Sequence, residues 1–368
     1  MATGTSGASP APSGRKGRAT IADVAARAGV STSTASLAFR GSERVRDATR
    51  DRILTAATAL DYRGPHPVAS SLRRGRTGIV GIVIAERVGL AFQNPVALAT
   101  MDGLSESLES VGYGQLLLPG RATIRERPEP LGSLPVDAIV FATRGEEFDG
   151  LLPIVRARGV PMVGIEGPHA DDVTLVEVDD RGGMRRLAEQ VAALGHRDVG
   201  VIMRTTELGH SRGPGRIEPI TAGMATIANR TIHGRLDAVA RVFPHALRVE
   251  AGGRDAAAGA EAARVLLTRP RRPTAILAQN DILAAGAIAA ADALGIRVPE
   301  EVSVTGFDGV EIPWLDRQLT TVRQPLRGRG RAAGRLVGEL LEGGTPDGVM
   351  LPVELVPGTT TARPPRGR

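Results

Sequence analysis

Apolar positions along this chain follow two different periods. Near the N-terminus the spacing is helical: Ile21, Val24, Ala25 and Ala28 fall at i, i+3, i+4 and i+7, which predicts one buried face on a first helix. Thr20 opens the segment "TIAD", a capping-box pattern in which the hydroxyl caps and Asp23 answers three residues later. Gly29 breaks this helix, Val30 bridges, and Ser31 can cap a second one, "STSTASLAFRG", that would bury Ala35, Ala38 and Phe39. A third helix is predicted from about Asp47 to Asp61, with Ile53, Leu54, Ala57 and Leu60 inward. Helix, short glycine-containing turn and helix follow one another closely enough for a helix-turn-helix unit.

From Ile79 onward short apolar runs alternate with Ala/Leu/Arg-rich amphipathic stretches. The predicted strands are residues 78–85, 114–119, 137–142, 160–165, 173–178, 198–203, 274–279 and 302–307. Helical patterns lie between most of them, for example Val96–Val111, Arg181–Leu194, Ala256–Leu267 and Asp281–Leu294. That alternation argues for parallel sheets covered by helices. The predicted fold class is therefore an N-terminal all-α helix-turn-helix domain followed by an α/β domain.

Composition narrows the possible chemistry. With 368 residues, 42% of them hydrophobic, the chain can bury more than one core. It has no cysteine, which excludes disulfides, thiol catalysis and cysteine-bound metal. The sequence shows no membrane-length apolar run and no signal-peptide core, so a cytoplasmic protein without a membrane partner is expected. Charge is informative by location. Residues 1–76 carry 13 Lys/Arg against 5 Asp/Glu, whereas the remainder carries 33 against 35. The excess positive charge is N-terminal, as expected where one end meets a polyanion. A GC-rich codon bias explains why Lys16 is the single lysine, but would not concentrate the charge.

The outer face of the second helix points the same way. Thr32, Ser33, Ser36, Leu37 and Arg40 lie on it, and Ser31–Gly41 contains no acidic residue. A helix lying against phosphate should carry donors and no carboxylates. A plain three-helix bundle with no nucleic-acid role is the alternative, but its solvated face would mix both charge signs.

The segments "ATIADVAARAGVSTSTASLAFRG", "RVRDATRDRILTAATALDYRGPHPVASSLRRGRTGIVGIVI", "VEVDDRGGMRRLAEQVAALGHRDVGVI", "PTAILAQNDILAAGAIAAADALGIRVPEEVSVTGFDGVEI" and "LTTVRQPLRGRGRAAGRLVGELL" together resemble the LacI/GalR family of bacterial transcription regulators. The resemblance spans about residues 19–362. It implies a disordered tail at 1–18, a DNA-binding domain at 19–64, a hinge helix at 65–77 and a tail at 363–368. Between these, residues 78–362 would form a periplasmic-binding-protein-like effector and dimerisation domain. Its lobe one would span about 79–178 and 323–345, and lobe two about 179–322 and 346–362.

By position, the resemblance implies that Thr32, Ser33 and Leu37 face base edges. Thr20, Ser31, Thr34, Ser36 and Arg40 would make phosphate or positioning contacts. Leu37 departs from the family, which commonly has arginine there. Leucine offers a base only apolar contact, so the preferred operator should differ at that position. In the hinge, Leu72 stands at the position that wedges into the central base step, with Ala69 as the small contact residue and Arg73 flanking phosphate.

For the interlobe cleft the matched positions are Glu166, Arg216, Asn280, Asp281, Asp308 and Gln324, most of them at strand carboxyl ends. Arg216 stands where the family has an arginine that opens a helix at the cleft. Each can alternatively be a helix cap or a surface ion pair. The resemblance implies a homodimer on double-stranded DNA, a sugar-like or other small effector, no cofactor and no metal. Two features are read as decoys. The glycine-rich "GRGRAAG" at 328–334 follows no strand and reads as helix, and "NRT" at Asn229 is a chance sequon. Nothing in the chain suggests catalysis, and His196 matches a structural position.

Overall fold

The computed structural model describes residues 19–39, 41–63, 75–85, 88–119, 132–142, 148, 150–205 and 213–365. The chain divides into two compact units, residues 1–77 and 78–368.

The first unit holds three helices: α1 (Ile21–Ala28), α2 (Thr32–Phe39) and α3 (Asp47–Ala59). The capping box at Thr20 forms as the sequence predicts. The Thr20 backbone N–H donates to Asp23 Oδ2 at 2.8 Å, and the Asp23 N–H donates to Thr20 Oγ1 at 3.4 Å. Gly29 ends α1 with φ +65°, a left-handed conformation that a side chain would strain. Val24, Ala25, Ala28, Ala35, Ala38, Val45, Ile53, Ala56 and Ala57 form the core. Leu54, expected inward, is exposed, and Ala56 takes its place. Three short helices meeting closely leave room there for a methyl group.

The second unit is α/β. In chain order it contains β1 (Ile79–Ile84), α4 (Val88–Ala91), α5 (Pro95–Ser110), β2 (Gly114–Pro119), β3 (Ala138–Phe141), α6 (Leu152–Arg156), β4 (Met162–Ile165) and β5 (Val173–Val178). After α7 (Asp180–Ala193) come β6 (Val199–Met203), β7 (Glu218–Pro219), α8 (Arg230–Val242), β8 (Leu247–Glu250), α9 (Ala256–Leu267), β9 (Ala275–Ala278), α10 (Asp281–Ala293) and β10 (Ser303–Thr305). The chain closes with β11 (Thr321–Arg323), α11 (Leu326–Leu341), β12 (Val349–Leu351) and β13 (Glu354–Val356).

These elements make two lobes. Lobe one is a six-stranded parallel sheet in the order β12-β5-β4-β3-β1-β2. Lobe two is a sheet in the order β10-β9-β6-β8-β7, parallel except for β7. The antiparallel pair β11-β13 lies where the chain crosses between them. One boundary differs from expectation. Residues 346–362 were assigned to lobe two, but Val349–Leu351 pairs with β5 on the edge of lobe one. Lobe two receives the chain further on, where Thr360 Oγ1 donates to the Val304 carbonyl.

In lobe one, helices α5 and α11 cross at two glycines. A Cβ on Gly103 would collide with the Arg327 carbonyl, and one on Gly330 with the Thr100 carbonyl. Only glycine permits that approach, and it sets Thr100 beside Arg329. The "GRGRAAG" segment is part of α11 and not a loop, as predicted.

Candidate DNA-contacting face and interlobe site

Helix α2 presents a dense set of hydroxyls. Ser31 Oγ lies 2.8 Å from Ser33 Oγ and 2.7 Å from Thr34 Oγ1, and accepts the Thr34 N–H at 3.1 Å. Ser31, Thr32 and Ser33 are exposed, Thr34 and Ser36 half-buried, and the first turn of α2 carries no acidic residue. Unshielded N–H groups at a helix start favour an anion. Leu37, expected on the outer face, keeps part of its side chain accessible, as Thr34 and Ser36 do. It is half-buried and packs against the core of the unit, as does Phe39, whose ring meets Tyr62 edge-on at 5.4 Å. The expected contacts Arg40, Ala69, Leu72 and Arg73 lie outside the described residues.

In the second unit the structure brings Glu166, Asp308 and Gln324 together around two arginines that sequence reasoning missed. Gln324 Nε2 donates to Asp308 Oδ1 at 2.6 Å. Gln324 Oε1 accepts from Arg329 Nη1 at 3.2 Å. Arg329 also donates to Glu166 Oε1 at 2.5 Å and to Thr100 Oγ1 at 2.8 Å. On the lobe-two side, Arg235 Nε donates to Asp180 Oδ1 at 2.8 Å, and its Nη2 lies 3.6 Å from Asp308 Oδ1. The same guanidinium donates to the Gln279 carbonyl and stacks 3.6 Å from the centre of the Phe307 ring. Arg235 is 0% exposed and Arg329 2%. Buried arginines are rare unless paired, and each of these has carboxylate and neutral partners.

Backbone strain concentrates at the same place. Glu166 has φ +60° and Asp308 φ +115°, the region L residues avoid. Such strain costs about 1–3 kcal/mol per residue and persists where the surroundings over-determine it. Here Asp308 is pinned by its N–H to the Val322 carbonyl and by its own carbonyl to the Gln324 N–H.

The electrostatics follow from burial and pairing. Burial opposes ionisation of Glu166, but the Arg329, Arg204 and Arg235 charges outweigh it and hold the carboxyl below its ordinary value. Burial raises Asp308 despite the Arg235, Arg204 and Arg329 charges. It also lifts Asp180 to about 6, with Arg235 pulling the other way. Arg235 stays a cation: burial works against its charge, and Asp180, Asp308 and Glu166 overcome it.

Three further expected cleft residues make other contacts. Asp281 is 0% exposed, accepts from Thr321 Oγ1 at 2.5 Å and from the Val310 N–H at 2.8 Å, and burial pushes it up to about 8. Asn280 caps α10 by accepting the Leu283 N–H at 2.8 Å. Arg216 is exposed in a non-helical segment, and the helix opening near Gln279 is α8, beginning at Arg230. Asn229, dismissed as a chance sequon, is its cap and accepts the Ile232 N–H. Asp179 and Asp180 are the cap and first residue of α7. His196 holds structure, with its rings' nitrogens on Thr274 Oγ1 and the Ala362 carbonyl.

Among the described residues, no helix is long and apolar enough to cross a membrane, and no group of three His, Cys, Asp or Glu is arranged to hold a metal ion. Residues 20–64 match the family model for bacterial regulatory proteins, lacI family, and residues 188–361 match a periplasmic binding protein-like domain. An HTH-type transcriptional regulator from Mycolicibacterium smegmatis is 38% identical, covering 94% of this chain and 97% of the relative. The solved complex of the transcriptional regulator CelR with cellobiose is similar at TM-score 0.63 and 25% identity, covering 93% of this chain and all of the other. The lac repressor dimer bound to operator and an anti-inducer is similar in fold at TM-score 0.72 and 22% identity, covering 94% and 99%.

Proposed function

Since the chain belongs to the LacI family of bacterial regulatory proteins and is a DNA-binding transcriptional regulator, we propose that it works as a cytoplasmic repressor without enzymatic activity. It binds a pseudo-palindromic operator as a homodimer, one α2 per half-site. The observation that carries this reading is the exposed, acid-free hydroxyl face at the start of α2. Thr32, Ser33 and Leu37 read base edges, and Thr20, Ser31, Thr34, Ser36 and Arg40 position the helix on phosphate. Ala69, Leu72 and Arg73 form the hinge contact in the minor groove. The exposed Leu90, Phe92 and Leu98 of lobe one supply apolar surface for a second copy.

The interlobe site takes a small polar effector, and the cellobiose complex of a relative makes a saccharide the first class to test. Asp308, Gln324 and Glu166 are the recognition groups, since carboxylates and amides at strand ends suit hydroxyl-rich ligands. Effector binding changes lobe geometry and thereby operator affinity, a coupling between two sites.

Operator selection from random DNA, followed by titration across salt, tests the reading. A palindromic site whose affinity falls steeply with salt is expected. A non-palindromic, salt-independent or undetectable interaction overturns it.

A further inference from the structure

The interlobe site is occupied by the protein's own side chains. Hydrogen bonds run without a break from Thr100 and Glu166 through Arg329, Gln324 and Asp308, and the Asp308–Arg235 ion pair carries the connection on to Asp180. The first three residues belong to lobe one, Asp308, Arg235 and Asp180 border lobe two, and Gln324 lies on the crossing segment between them. Gln324 is the one side chain in this set that touches charged residues of both lobes, donating to one and accepting from the other. Asp308, expected to receive a ligand, is taken by Gln324 and Arg235.

We propose that these residues form a built-in latch that closes the cleft without a ligand, with Arg235 bound between Asp180 and Asp308 in the place an effector would take and Gln324 tying the lobes together. The inference rests on the reading of this cleft as the effector site. Its consequence is a direction of action. An effector works by prising the latch, replacing Gln324 and Arg235 on Asp308 with its own donors, rather than by drawing two open lobes shut. Separating the lobes would break the Arg329–Gln324 bond and open two paired guanidinium groups to water, so opening carries a cost that an uncharged, empty cleft would not.

The chain has no cysteine, so paired spin labels can be placed cleanly. Ser110→Cys on lobe one and Thr268→Cys on lobe two, both at exposed positions, report the lobe separation in the full-length protein. The ligand-free protein is expected to give one narrow distance population. Gln324→Leu removes the link and Gln324→Glu sets a like charge against Asp308, so each should add a longer, broader population. Any monosaccharide or disaccharide that binds should likewise lengthen the distance. A broad ligand-free distribution that a sugar narrows, or no change in either Gln324 variant, overturns the latch.

A second variant tests the seat of the guanidinium. Arg235→Ala empties the seat between Asp180 and Asp308, and millimolar guanidinium chloride should raise the variant's melting temperature where sodium chloride does not. Failure of that rescue in folded protein refutes the seat, and if the variant does not fold the Gln324 pair decides. The distances are read without DNA, so a failed operator selection and a failed latch are separate results.

Discussion

In the helical unit the hydroxyls of Ser31 and Ser33, proposed to meet DNA, bond to one another and remain open to solvent, while in the α/β unit Arg235, Arg329 and Asp308 are enclosed with their partners. The first arrangement leaves polar groups ready for a large external anion, and losing any one costs little folding stability. The second commits charge to the interior, where each group depends on the others. The exposed face of α2 can therefore be altered residue by residue, whereas the buried cluster responds as a unit.

That contrast can be broken most sharply at Arg235. Arg235→Ala leaves Asp180 and Asp308 buried without their cation, and a loss of about 3–5 kcal/mol is expected, read by denaturant unfolding of the α/β unit. Operator contacts made by α2 should survive in whatever fraction stays folded.

A pH scan comes next. The folded value of Asp281 is raised from 3.8 to about 8, so the folded chain keeps a proton that the unfolded chain loses. Stability should therefore fall as pH rises from about 4 through about 8. Asp281→Asn, which mimics the protonated form, should flatten the upper part of that decline. A melting temperature that rises across the window would show Asp281 to be ionised in the fold.

On the helical side, Leu37→Arg should shift base preference by about 1–3 kcal/mol at one operator position, measured by repeating the selection. Leu37 also packs inward, so a small stability loss should accompany it. The smallest effect is expected for Thr20→Ala, about 1 kcal/mol from loss of the capping box, with base preference unchanged.

The two units also differed in how far their sequences could be read. Local signals sufficed for α1, with its cap at Thr20 and stop at Gly29, and for strands such as Val173–Val178 that are apolar runs between turns. Strand β8 escaped because its four residues include Arg248, buried and bonded to Glu218, which breaks the apolar pattern. Arg235 and Arg329 escaped for the same reason on helices. A buried arginine is defined by partners from distant segments, and nothing within ten residues of Arg329 announces Glu166 or Thr100. Arg216 does not open a helix, because the helix that follows it starts at Arg230 behind an Asn229 cap. Glu166, Asp308 and Gln324 were named from family-matched positions at strand ends and the crossing segment, and the structure brings them together around Arg329 and Arg235.

The return of residues 349–362 to both lobes bears on the order in which the protein is made. Lobe one lacks its edge strand until Val349–Leu351 is available, and Val304 and His196 of lobe two wait for Thr360 and Ala362. Among the described residues, the core of the helical unit is complete by Tyr62. During synthesis, where domains fold as they emerge, the helical unit thus precedes an α/β unit whose two lobes both wait for residues 349–362.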